Sequence, residues 1–171
     1  MRMAIRGFLD WDASNLETYA GTARRQSQRL LASETACQEG WELVTIDIEK
    51  AFLQGMTYKE MHELTGEPER IVNFTLPKGA AAMLRMLPGF EHFDESIHVC
   101  GCTKPGTGTK DAPRAFSLKL ASVTRSEPLN MQPTRYDPEM EMQHDANGNL
   151  QLLSTKHVDD VKLGGPTRNI D

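Results

Sequence analysis

Leu150-Gln-Leu-Leu-Ser-Thr-Lys-His-Val-Asp-Asp-Val-Lys-Leu-Gly-Gly-Pro166 is the stretch on which the fold turns. It reads as a strand from Leu150 to Val158, a tight turn carrying Asp159-Asp160, a second strand over Val161 to Leu163, and a Gly164-Gly165-Pro166 stop. Just upstream, Asp145-Ala-Asn-Gly148 is hairpin-turn chemistry, because Asn and Gly accept the positive φ that tight turns need. Two consecutive hairpins predict an antiparallel sheet. Trp41 to Ile48 adds a third strand, alternating Trp41, Leu43 and Thr45 against Glu42, Val44 and Ile46, with Asp47 near its end. Helices frame these strands. Ala23 to Glu39 lacks Pro and Gly, sets Ala23, Ser27, Leu30, Leu31 and Cys37 near one face, with Cys37 read as buried, and stops at Gly40. Pro113 to Val123 starts with the proline that first helical positions favour. Hairpins beside helices predict the α+β class.

Length and composition agree. The chain has 171 residues, room for one domain or one piece of a larger enzyme. With 39% hydrophobic and 25% charged residues it is neither fibrous nor a disordered tail. It holds no run of about 18 apolar residues, so no membrane span is expected, and its first residues lack the apolar core of a secretory signal. Three cysteines, an odd number, argue against a disulfide framework and for a reducing compartment. The net charge is -5, yet its distribution is uneven. Between Val99 and Arg125 five bases face one acid, whereas between Glu39 and Arg70 eight acids face three bases. A basic groove for phosphates beside an acidic metal site fits that division, as do plain solvated charges.

Asp47 and Asp159-Asp160 are the residues that carry chemistry. Carboxylates at strand ends can converge across a sheet, and three gathered together stay ionised only beside a cation. Magnesium is the natural cation, since it takes a few carboxylates and leaves positions for phosphate oxygens. By itself an Asp-Asp turn is merely solvated. Three strings, however, occur in order: TIDIEKAFLQG at Thr45 to Gly55, GTKDAPRAF at Gly108 to Phe116, and HVDD at His157 to Asp160. RMAIRGF at Arg2 to Phe8 and LETYAGTA precede them, and Leu87-Pro88-Gly89-Phe90 lies between. Together they resemble the reverse transcriptase of a copia-type long-terminal-repeat retrotransposon: an arginine-rich finger strand, a Glu-Thr-Phe segment, a Pro-Pro-Gly-Phe segment and three palm motifs. The likeness extends over almost the whole chain.

The resemblance implies a right-hand polymerase fragment, with fingers in residues 1–22 and 56–111 and palm in residues 23–55 and 112–171. Its small antiparallel palm sheet would be backed by helices. It implies RNA-directed DNA synthesis from template-primer and deoxynucleoside triphosphates. Asp47, Asp159 and Asp160, with the Ile48 carbonyl, would hold two Mg2+ ions, Mn2+ being possible. Phe52 would be the steric gate against a ribose 2′-hydroxyl. Gly108, Lys110, Pro113 and Arg114 would lie under the incoming nucleotide, and Arg2 would grip its triphosphate bidentately. His157 would contact the primer. The implied partners also include the rest of the Pol polyprotein, with no membrane, and the implied place is intracellular, in a retroelement particle or the nucleus.

Departures from the family pattern are equally legible. His157 stands where the family has Tyr, as does Thr107 ahead of Gly108. The strand LLSTKHV is more polar than the apolar strand usual there. Only 11 residues follow Asp160, so a thumb and an RNase H domain are expected to be missing. Two other classes stay open: a truncated, inactive retroelement remnant that at most binds nucleic acid, and an unrelated magnesium-dependent phosphohydrolase. His98-x-Cys100-x-Cys102 lacks the second spaced pair of a zinc site. No P-loop or Rossmann glycine pattern is present.

Overall fold

The structure, a computed structural model, describes residues 4–167. It is mixed α+β, built on a five-stranded antiparallel sheet. β1 (Trp41–Asp47) forms one edge, followed by β7 (Asp160–Pro166), β6 (Leu150–His157), β5 (Met140–His144) and β4 (Gln132–Pro133). β2 (Val72–Phe74) and β3 (Cys100–Cys102) make a separate two-stranded sheet. The helices are α1 (Arg25–Cys37), α2 (Tyr58–Thr65), α3 (Ala80–Leu84) and α4 (Ala112–Arg125). No helix among the described residues is long and apolar enough to cross a membrane.

α1 lies across the sheet because β7 leaves room for it. A Cβ on Gly164 would collide with Thr35 Oγ1 and crowd Leu31. The glycines expected to stop the strand therefore sit inside it, where their missing side chains admit the helix on Gly164 and the close approach of Leu152 on Gly165. The buried stripe of α1 is consequently Ser27, Leu31 and Thr35, while Leu30 and Cys37 are exposed, against expectation. Small residues on that stripe let helix and sheet approach closely. Leu31 packs there with Met140 and Leu153. A smaller cluster joins Met56, Met61 and Ala115 below α4.

One helix end needs outside help. The first turn of α1 has no side-chain cap of its own; Asp137 accepts from the Arg24 amide (2.7 Å) and the Ser27 hydroxyl instead. Burial pushes the Asp137 carboxyl up, but those bonds and one from the Glu139 amide outweigh it and leave it below the usual value. α2, by contrast, is closed locally by a capping box between Thr57 and Glu60 and by Gly66 at φ 73.

The polar strand β6 is buried almost throughout, from Leu152 to Lys156. Its polarity is answered by neighbours. Lys156 donates to Glu141 on β5 (2.8 Å) and to the Thr124 hydroxyl on α4 (3.1 Å), and Arg125 donates to Glu141 (2.7 Å). Burial pushes the Lys156 ammonium below its ordinary value, with Glu141 opposing. β1 differs again. Leu43 is 49% and Ile46 43% exposed, because an edge strand is covered along one side only.

Candidate active site

Register sets the backbone positions of the three acids. β1 and β7 pair antiparallel with Asp47 opposite Asp160, and β7 and β6 with Asp160 opposite His157. Ile48 donates its N–H to the Asp159 carbonyl (3.2 Å), which makes Ile48 and Asp159 a hydrogen-bonded pair. Asp47 and Asp160 are then a non-hydrogen-bonded pair, the kind whose Cα atoms lie closest, at about 4.5 Å in sheets generally. A bridge from Thr22 to His157 completes the row. Asp47, Asp160, His157 and Thr22 thus lie side by side at one end of the sheet, with Asp159 in the adjoining turn.

That turn is Val158-Asp159, one residue earlier than expected: Val158 leaves the strand and Asp160 opens β7. A two-residue turn between twisted strands demands positive φ at its first position, which glycine normally supplies. Here a valine adopts φ 56. For a β-branched residue this is a genuine outlier, held by the strands on either side.

All three carboxylates are exposed. As hard oxygen donors they are of the kind that Mg2+ takes. The backbone gathers them at one corner, but among the described residues no three His, Cys, Asp or Glu side chains are grouped as a metal-ligating set. Lys162, one step along the same face from Asp160, donates to Gln28 Oε1 at 3.5 Å. Sequence reasoning passed over Lys162 and Thr22. The strand period itself could have found Lys162, two positions from Asp160, whereas Thr22 is joined by tertiary pairing alone.

The remaining expected residues lie on two neighbouring elements. Phe52, half-buried, is in a 3-10 turn at Ala51–Gln54 directly after β1. That turn packs on α4, where a Cβ on Gly55 would press on the Ala115 and Phe116 backbone. Pro113 is in the first turn of α4, and Lys110 is exposed just ahead of it. Arg114 is engaged within the protein, donating both terminal nitrogens to Glu67 (2.7 and 2.9 Å), and it holds the Glu67 carboxyl below the usual range. Gly108, at φ 97, is packed against the N-terminal segment, where a Cβ would strike the Ile5 carbonyl. Ile5 and Gly7 donate their amides to Thr107 and Gly108 (2.9 and 3.1 Å). Arg2 lies outside the described residues.

A cavity of about 1020 Å³ opens between the N-terminal segment, the 70–77 stretch and the 106–109 loop. Lys50 and Leu53, shortly after Asp47, line it, together with Arg6, Arg70, Val72 and Phe74. The acids themselves do not. No family model, curated protein or solved structure matches the chain.

Proposed function

We propose that this chain carries the nucleotidyl-transfer chemistry of a copia-type retrotransposon reverse transcriptase, extending a primer along an RNA template with deoxynucleoside triphosphates. In this reading the five-stranded sheet with α1 and α4 is the palm, and the N-terminal segment with β2 and β3 belongs to the fingers. The rest of the Pol polyprotein is its covalent partner, inside a retroelement particle or the nucleus. The observation that carries the reading is the register that sets Asp47 opposite Asp160 with Asp159 in the next turn. Residues more than a hundred positions apart reach one corner, and they are the same three that the motifs single out.

Asp47, Asp159 and Asp160, with the Ile48 carbonyl, would hold two Mg2+ ions, or Mn2+. When bound, the ions lower the pKa of the primer 3′-hydroxyl and neutralise the triphosphate. The chain's own side chains do the rest. Phe52 crowds a 2′-hydroxyl without offering it a hydrogen bond, which selects deoxynucleotides. Lys110, exposed beside the cavity wall, meets phosphate charge. His157, beside Asp160 in the row, touches the primer. The bond that Arg114 makes to Glu67 gives it a structural share in the same segment.

Primer extension on poly(rA)/oligo(dT) with Mg2+ tests the reading, comparing the chain with Asp159→Asn. Extension by the chain and none by the variant supports it; the same extension from both rejects it. A second reading is an inactive remnant that binds nucleic acid. It expects template-primer binding with no extension from either protein.

A further inference from the structure

A cluster of buried and half-buried charges lies away from the exposed acidic corner. The Arg70 guanidinium makes ion pairs with Asp10 of the N-terminal segment through one terminal nitrogen and with Asp111 at the start of α4 through the other. Its charge also lies over the Tyr58 ring, 5.9 Å from the centroid. Asp111 and Tyr58 are almost wholly buried, 3% and 4% exposed. Arg70 Nε has no hydrogen-bond partner among the described residues, and burial together with the Asp111 carboxylate pushes the Tyr58 hydroxyl above its ordinary value. Asp111 precedes α4 as its N-cap residue, yet its side chain makes no cap bond. Its carboxylate is committed to Arg70.

The bridge closes a ring around one loop. Residues 106–109 are tied to the N-terminal segment by the Ile5 and Gly7 amides, and Asp10 donates back to the Gly7 carbonyl (3.3 Å). Arg70 then joins Asp10 to Asp111, the residue that follows Lys110. Lys110 is therefore exposed on a segment held from both sides. An ammonium cannot replace the guanidinium here, since it lacks the planar fork whose separate nitrogens reach two carboxylates. Loss of the Asp111 arm leaves a buried carboxylate uncompensated, and loss of the Asp10 arm a half-buried one.

We infer that Arg70 is a positioning residue for nucleotide binding: by bridging Asp10 and Asp111 it fixes the Gly106-to-Asp111 loop, and with it Lys110, against the N-terminal segment. The inference rests on the polymerase reading for the role of Lys110, but the coupling of the two segments stands on geometry alone. Two variants test it, Arg70→Lys and the milder Asp10→Asn, in steady-state extension of poly(rA)/oligo(dT) with dTTP and in amide hydrogen exchange. Arg70→Lys is expected to raise KM for dTTP about tenfold, with kcat and template-primer affinity within about twofold of the parent. Asp10→Asn is expected to move KM the same way, by less. Exchange should lose protection together at the Ile5 and Thr109 amides, one on each segment. An unchanged KM, or a kcat that falls in step with the folded fraction, overturns the positioning role. If the parent chain extends no primer, the polymerase reading fails and exchange alone decides: joint loss at Ile5 and Thr109 sustains the coupling, and loss at one amide only overturns it.

Discussion

The two turns flanking β6 are built on opposite principles. At Asp145–Asn149, between β5 and β6, every local preference is met: the Asp145 carboxylate accepts from the Asn147 and Asn149 amides (2.9 and 2.8 Å), and Gly148 takes φ 83. At Val158-Asp159, between β6 and β7, a valine takes φ 56, a position suited to glycine, next to two exposed carboxylates. The first turn is made by its own residues. The second is imposed by the strands it joins, which have fixed their register elsewhere. In the proposed reading, the strain at Val158 is the cost of placing two carboxylates at the acidic corner.

The largest expected contrast is catalytic. Asp159→Asn in the strained turn should lower primer extension by about 10³-fold or more, while Asp145→Asn in the relaxed turn leaves it unchanged. Equal losses would remove the functional distinction between the turns. Next comes the strand between them. Glu141, fully buried, compensates Lys156 immediately before His157, so Glu141→Ala should cost about 3 kcal/mol in urea unfolding by leaving a buried ammonium unpaired. A loss below about 1 kcal/mol would mean that this network does not hold the strand, since that is no more than a surface pair contributes.

The turns themselves then exchange roles. A Cβ at Gly148 meets nothing, so Gly148→Val should cost about 2 kcal/mol through backbone strain alone. Val158→Gly should stabilise by about 1 kcal/mol, the relief exceeding the added flexibility of glycine. Destabilisation by Val158→Gly would show the valine to be unstrained. The smallest effect is acid sensitivity. Bonds from Asn149, side chain first, hold the Asp145 carboxyl below its usual value. Its contribution is therefore complete above the unfolded carboxylate pKa of about 4 and fades as pH falls through the lower folded value. The protection factors of the Asn147 and Asn149 amides, the observed exchange divided into the intrinsic rate at each pH, should fall there, and factors that stay flat down to about pH 2 would contradict this.

The Asp145 turn and the span of α4 were legible because their cues lie within a few residues: Asn-Gly for positive φ, and a proline in the first helical turn. α1 was legible in extent and not in facing. Its buried stripe follows Gly164, a hundred and more positions away, so Leu30 stayed outside while Thr35 went in. The same distance explains the glycine pair read as a stop and found inside β7. Lys156 looked misplaced in a core strand until Glu141, Thr124 and Arg125 supplied its partners. Arg114 and Arg70 were bare charges in the sequence, and nothing local announced Glu67, Asp10 or Asp111 as their counterparts.

The sequence by itself determined β1, β6, β7, α1 and α4 and pointed to the three acids, since turn chemistry and side-chain period act over a few residues, whereas α2, α3, β2, β3 and β4 carried no such cue. Only the tertiary structure decided that Asp47 faces Asp160, that Val158 bends against its preference, and that Arg70 fastens one segment to another. Such pairings are chosen by packing and by the compensation of buried charge, which act between residues the chain keeps far apart.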